Sequence, residues 1–173
     1  MTSTPAHPAT TSPATGHSLE DGADAAHGPD PRLSGAAPIS GPRPISILLY
    51  SDDVDTRAQV RMAIGRRLAS DLPTVEFTEC ATPPAVISAV DAGGFDVLIL
   101  DGESSPAGGL GMCKQLKDEI YQCPPILVLT GRPQDAWLAT WSRAEAAVSH
   151  PLDPIELGEA VVRLLRSRVP AKA

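Results

Sequence analysis

From residue 45 onward, short apolar runs alternate with stretches of helical periodicity. The run "ISILLY" (45–50) predicts a buried first strand, and "VDTRAQVRMAIGRRLAS" (54–70) predicts a helix with Val60, Ile64 and Leu68 on one face. "TVEFTEC" (74–80) alternates as a half-exposed strand does, and "PPAVISAVDAGG" (83–94) reads as a helix stopped by glycine. "FDVLIL" (95–100), "PILVLT" (125–130) and "AAVS" (146–149) predict three more strands, separated by helices over 109–121 and 134–145. The last helix, 153–168, carries its own start signal, with Asp153 as N-cap, Pro154 in the first turn and Glu156 at the capping-box position.

Strands alternating with helices require right-handed crossovers and a parallel sheet covered on both faces. The compact solution for five such units is an α/β fold, a flavodoxin-like (βα)5 doubly wound parallel sheet with strand order 2-1-3-4-5. Ligands and chemistry in such sheets sit beyond the carboxyl ends of the strands, near the switch point between strands 1 and 3. Strand 1 runs into "SDDVDT", strand 3 ends at Asp101, strand 4 at Thr130 and Gly131, and strand 5 at Ser149 and His150. Asp52, Asp101, Thr130 and His150 are therefore expected to share one small pocket. Crowded carboxylates resist ionising together unless a cation is present, and a hard divalent ion such as Mg²⁺ resolves that conflict with oxygen ligands. A hydroxyl at Thr130 and a small neighbour at Gly131 suit phosphoryl transfer to an aspartate.

Residues 1–44 read differently. They hold eight prolines and five glycines with hardly a large apolar side chain, so this segment is expected to be a disordered tail. His7, His17 and His27 recur ten residues apart there, a spacing read as coincidence rather than a metal site. The folded part is expected over 45–169, with a short C-terminal tail at 170–173.

Charge and composition narrow the function. The net charge of −7 disfavours nucleic-acid binding, and residues 45–173 share the excess with 17 acidic and 12 basic side chains. No apolar run approaches the roughly 18 residues needed to span a bilayer, and the start of the chain lacks a secretory pattern, so no membrane insertion and a cytoplasmic location are expected. The three cysteines, Cys80, Cys113 and Cys123, have neither a disulfide-framework count nor a C-x-x-C spacing.

Four segments in order, "ILLYSDDVDTR", "FDVLILDGESSPAGGLGMCKQLK", "CPPILVLTGR" and "AEAAVSHPLDPIEL", resemble the receiver domains of bacterial two-component response regulators, above all CheY-like single-domain receivers that lack an output domain. The resemblance implies a phosphoprotein of phosphorelay signal transduction. It makes Asp101 the phosphoacceptor, Thr130 the switch hydroxyl, and Asp52, Asp101 and the backbone carbonyl of Glu103 the ligands of Mg²⁺. The protein itself would not be an enzyme beyond accepting a phosphoryl group and slowly losing it. A histidine kinase or another phosphodonor would be the upstream partner. A protein target or a second copy would dock on helix 4, strand 5 and helix 5.

The chain departs from the family pattern at four places, one of them the loop after strand 3, where Pro106 stands one residue later than the family's proline. Ser51 stands where the first acid of the usual pair sits, which weakens the metal site and leaves Asp53 as a poor substitute expected to point elsewhere. His150 replaces the usual lysine, with an imidazole able to pair with Asp101, and Ala147 replaces the switch aromatic. Those departures support an alternative, a pseudo-receiver adaptor that binds its partner without phosphorylation. "DVDT" (53–56) invites a third comparison, with aspartate-nucleophile phosphatases, in which Asp53 would be the nucleophile. Trp137 and Trp141, one turn apart, are expected to pack inward.

Overall fold

A computed structural model describes residues 43–168, so most of the expected tail at 1–44 and the whole of 170–173 lie outside the described residues. The strands are β1 Ile45–Tyr50, β2 Val75–Cys80, β3 Val97–Asp101, β4 Ile126–Thr130 and β5 Ala146–Ser149. The helices are α1 Val54–Ile64, α2 Pro83–Ala92, α3 Gly109–Glu119, α4 Ala136–Ser142 and α5 Pro154–Arg168. All strands are parallel and run in the order β2-β1-β3-β4-β5, as the alternation of elements requires.

The period-2 geometry of the strands divides the core into two layers. Ile45, Ile47, Leu49, Val97, Ile99, Leu127 and Leu129 face one way, against Val60 and Ile64 of α1 and Leu157, Val161 and Leu164 of α5. Leu48, Tyr50, Leu98, Leu100, Ile126 and Val128 face the other, against Val86, Val90, Met112, Leu116 and Ala139 from α2, α3 and α4. Full burial of each large aliphatic side chain stabilises the fold by roughly 1.5–3 kcal/mol. The runs at 97–100 and 126–129 carry no polar residue because both of their faces are covered.

Four helix ends differ from the sequence pattern. Gly65 adopts φ +64° after α1 and donates its N–H to the Arg61 carbonyl, so α1 stops at Ile64 instead of residue 70. Leu68 keeps its apolar contact with the core from the following turn. Pro133–Asp135 form a 3₁₀ turn ahead of a short α4, and Arg143 in the left-handed region ends that helix with its side chain paired to Asp118. Tyr121 falls past α3 and is exposed. The start of α5 follows its signal, with Asp153 accepting from the N–H groups of Ile155 (2.7 Å) and Glu156 (3.0 Å).

The inward packing expected of the tryptophans is not found. Trp137 is 65% and Trp141 54% exposed, whereas Ala139 between them faces the core. A seven-residue helix has one narrow inner stripe, and Ala139 and Ser142 occupy it.

Candidate functional site

The β1–β3 ladder pairs Leu49 with Ile99 and Tyr50 with Leu100, so the next step in register brings Ser51 beside Asp101. The Ser51 hydroxyl donates to Asp101 Oδ2 at 2.7 Å, and the Glu103 backbone N–H donates to Asp101 Oδ1 at 3.0 Å. Ser51 is itself held on two sides, because its Oγ accepts the Asp53 N–H at 3.1 Å and its carbonyl accepts from Arg57 at 2.6 Å. The Arg57 guanidinium is oriented in turn by Glu79 at 3.0 Å. Asp101 is only 3% exposed, and no buried side-chain polar atom among the described residues lacks a partner. Two neutral donors thus compensate a buried carboxyl group that would be costly to leave unpaired.

The other acids of the β1 end behave differently. Asp52 is exposed, and its backbone N–H donates to the buried Ser104 hydroxyl at 3.2 Å. Asp53 caps α1, accepting from the Asp55 N–H at 2.9 Å and the Thr56 hydroxyl at 3.0 Å. Those bonds, led by the one from Asp55, hold the Asp53 carboxyl below the usual carboxylate range. The side chain of Asp53 therefore serves the helix start, not the Asp101 pocket. The phosphatase comparison also loses its basis, since Thr56 follows Asp55 directly, one residue short of a D-x-D-x-T spacing.

At the β4 and β5 ends the register pairs Thr130 with Ser149, and their hydroxyls lie 2.9 Å apart. The His150 N–H continues the ladder to the Thr130 carbonyl at 2.8 Å. The imidazole is half-buried and makes no hydrogen bond or ion pair among the described residues, so the pairing of His150 with Asp101 expected from the sequence does not form. The peptide bonds Ser105–Pro106 and His150–Pro151 are cis.

Several groups at this edge escaped the sequence reading. The side chain of Glu103 reaches across to β4, where its Oε1 accepts the Gly131 N–H at 3.2 Å. Tyr50 anchors the β3–α3 loop through a 2.7 Å bond from its hydroxyl to the Ala107 carbonyl, and burial pushes its phenol up from the ordinary value. Ser149 was read as a strand end, and its contact with Thr130 could have been found by writing the strands in order and reading across. Ser104 and Arg57 carry no such signal, because their partners are set by loop path and helix rotation.

The chemistry of the donor set limits what cation this edge would hold. The oxygen atoms that the resemblance assigns to Mg²⁺ are the carboxylates of Asp52 and Asp101 and the carbonyl of Glu103, of which the Asp101 carboxylate already accepts from Ser51 and Glu103. Ser51 offers a neutral hydroxyl whose proton already points to Asp101. No group of three or more His, Cys, Asp or Glu side chains among the described residues is arranged to hold a metal. With Ser51 in place of an acid, this donor set offers a hard divalent ion two carboxylates.

A parallel sheet in the order 2-1-3-4-5, with a buried aspartate at the carboxyl end of its middle strand, is a flavodoxin-like α/β module. No family model matches the chain. Two curated relatives, both described as an uncharacterized response regulatory protein from strains of Mycobacterium tuberculosis, are 61% identical over 123 residues, covering 71% of this chain and 92% of each relative. The fold is similar to the chemotaxis response regulator CheY4 of Vibrio cholerae, at TM-score 0.59 and 21% identity over 71% of this chain and 100% of that one. It is similar also to a two-component response regulator from Clostridium difficile, at TM-score 0.60 and 18% identity over 73% of this chain and 99% of that one. The chain belongs to the response regulators, as a receiver domain of two-component signalling. No helix among the described residues is long and apolar enough to cross a membrane.

Proposed function

We propose that this receiver takes a phosphoryl group on Asp101 from a histidine kinase or a small phosphodonor and signals through contacts with a protein partner. The observation that carries the reading is the placement of Asp101, buried at the switch point, oriented by Ser51 and Glu103 and paired with no cationic side chain among the described residues. An Asp101 oxygen attacks phosphorus, the donor's P–N or P–O bond breaks with its electron pair leaving on the donor, and an acyl phosphate forms. Thr130 and His150 are the side chains assigned to the new phosphoryl oxygens. Asp52, Asp101 and the Glu103 carbonyl would hold Mg²⁺, which when bound supplies charge neutralisation. The receiver domain is assigned to 45–169, and Trp137 and Trp141 on α4 are assigned to the partner-facing surface with β5 and α5.

Incubation of the full chain with phosphoramidate and Mg²⁺, followed by intact mass measurement, tests this. A gain of one phosphoryl group that vanishes in Asp101→Asn supports it; no gain, or a gain that survives the substitution, removes Asp101 as acceptor.

A second reading, a pseudo-receiver that binds its partner constitutively, draws on the Ser51 hydroxyl that donates to Asp101 and on the imidazole of His150, which makes no hydrogen bond or ion pair among the described residues. It predicts that His150→Lys leaves partner binding unchanged and that a phosphodonor does not alter binding by the wild type. A phosphodonor-dependent change in the wild type rules this reading out.

A further inference from the structure

Glu103 makes two contacts that pull in different directions. Its backbone N–H serves Asp101 Oδ1, while its side chain turns to the neighbouring strand and takes the Gly131 N–H at 3.2 Å. The carboxylate also lies across the face of Gly131: a Cβ added there would meet Glu103 Cδ and Oε1 at 2.7 Å and Oε2 at 2.9 Å. The space left by glycine at position 131 is therefore filled by an anionic group belonging to the protein. The loop is fixed in that position, because the Gly102 N–H donates to the Leu129 carbonyl at 2.8 Å, one residue before Thr130.

We propose that the Glu103 carboxylate is an intramolecular anion seated on the Gly131 amide, which an incoming phosphoryl group must displace before Asp101 can react. The inference rests on Asp101 being the acceptor. It deepens that reading by naming Glu103 as the positioning residue that sets how readily an anion enters. The chemistry is direct: a backbone N–H at the strand end is a good anion donor, and a carboxylate already holding it both occupies the donor and repels a second anion. Glu103 is exposed, so it can swing aside without disturbing the core, which makes the contact a removable latch.

The test compares wild type, Glu103→Gln and Glu103→Ala in the full chain. The Gln variant keeps the shape and an acceptor for Gly131 but loses the charge; the Ala variant loses both. Two readouts are taken, the Gly131 amide resonance with and without inorganic phosphate, and the rate of phosphorylation by phosphoramidate. The expected result is a shifted Gly131 amide in Glu103→Ala, a larger phosphate response in both variants, and phosphorylation faster by roughly three- to tenfold in the order Ala, Gln, wild type. A Gly131 amide that neither shifts in Glu103→Ala nor gains phosphate response overturns the latch, as does a phosphorylation rate equal in all three. If none of the three gains a phosphoryl group, the acceptor reading falls. The amide and its phosphate response then decide separately whether Glu103 seats on Gly131.

Discussion

Ser51 and Asp101, at the carboxyl ends of two adjacent parallel strands and 50 residues apart in the chain, share a 2.7 Å hydrogen bond in which the hydroxyl donates to the carboxylate. A serine thus compensates part of the charge for which receivers commonly recruit a metal ion. The bond makes the thermodynamics of this corner accessible to simple substitutions.

Ser51→Ala removes the donor to Asp101 and the acceptor for the Asp53 N–H together, in a fully buried position. A loss of roughly 1–3 kcal/mol is expected in urea unfolding, the range for stranding a buried polar group. A change under half a kcal/mol would show that water enters and replaces the hydroxyl.

Ser51→Asp places a second carboxyl group against Asp101. Without a divalent ion the two acids repel and the melting temperature should fall; with millimolar Mg²⁺ it should recover by several degrees. The wild type should respond to Mg²⁺ much less. Equal responses in the two proteins would show that the acid lost at position 51 does not limit Mg²⁺ binding.

The glycines around the site should separate by what stands in the way. At Gly102 a new Cβ would meet the Leu129 carbonyl at 2.5 Å, and at Gly109 the Asp101 carbonyl oxygen at 2.7 Å, both backbone atoms. Gly102→Ala and Gly109→Ala are expected to cost roughly 1–3 kcal/mol each, as overpacking does. At Gly131 the obstacle is the end of the flexible Glu103 side chain, so Gly131→Ala should unfold close to wild type. Equal destabilisation at all three would show that Glu103 cannot move aside.

The thiol of Cys113 is fully buried and donates to the Ser142 carbonyl, and burial pushes its pKa up to about 11 from 9.0. The folded state therefore binds this proton more tightly than the unfolded chain does. Its contribution to stability is complete below pH 9.0 and is lost as the pH rises toward about 11. Unfolding followed from pH 8 to 10.5 should show that decline, reduced in Cys113→Ala. Half-buried Cys123 should react with an alkylating agent ahead of Cys113 in the folded protein.

Substitution at the two tryptophans separates docking from packing. Trp137→Ala and Trp141→Ala should each change stability by no more than about 0.5 kcal/mol, whereas Leu157→Ala on buried α5 should cost about 2–5 kcal/mol. A Trp variant that behaves like Leu157→Ala would return that side chain to the core.

The five strand–helix units, their parallel order and the identity of Asp101 as the residue at the switch point could be read from the linear pattern. They depend on short-range periodicity and on crossover handedness, which every chain obeys. Helix ends were less legible: Gly65 stops α1 although Leu68 continues its apolar spacing, and the outward turn of Trp137 and Trp141 follows from which narrow stripe of α4 meets α3 and β5. Beyond the last ladder pair, alternation no longer dictates where a side chain points. There the loop path brings Glu103 onto Gly131, the register sets Thr130 against Ser149, and His150 is left without Asp101. Local pattern accounts for the scaffold because burial is decided element by element. The partners at the site belong to residues from strands and loops distant in sequence, and only their packing in three dimensions chooses among them.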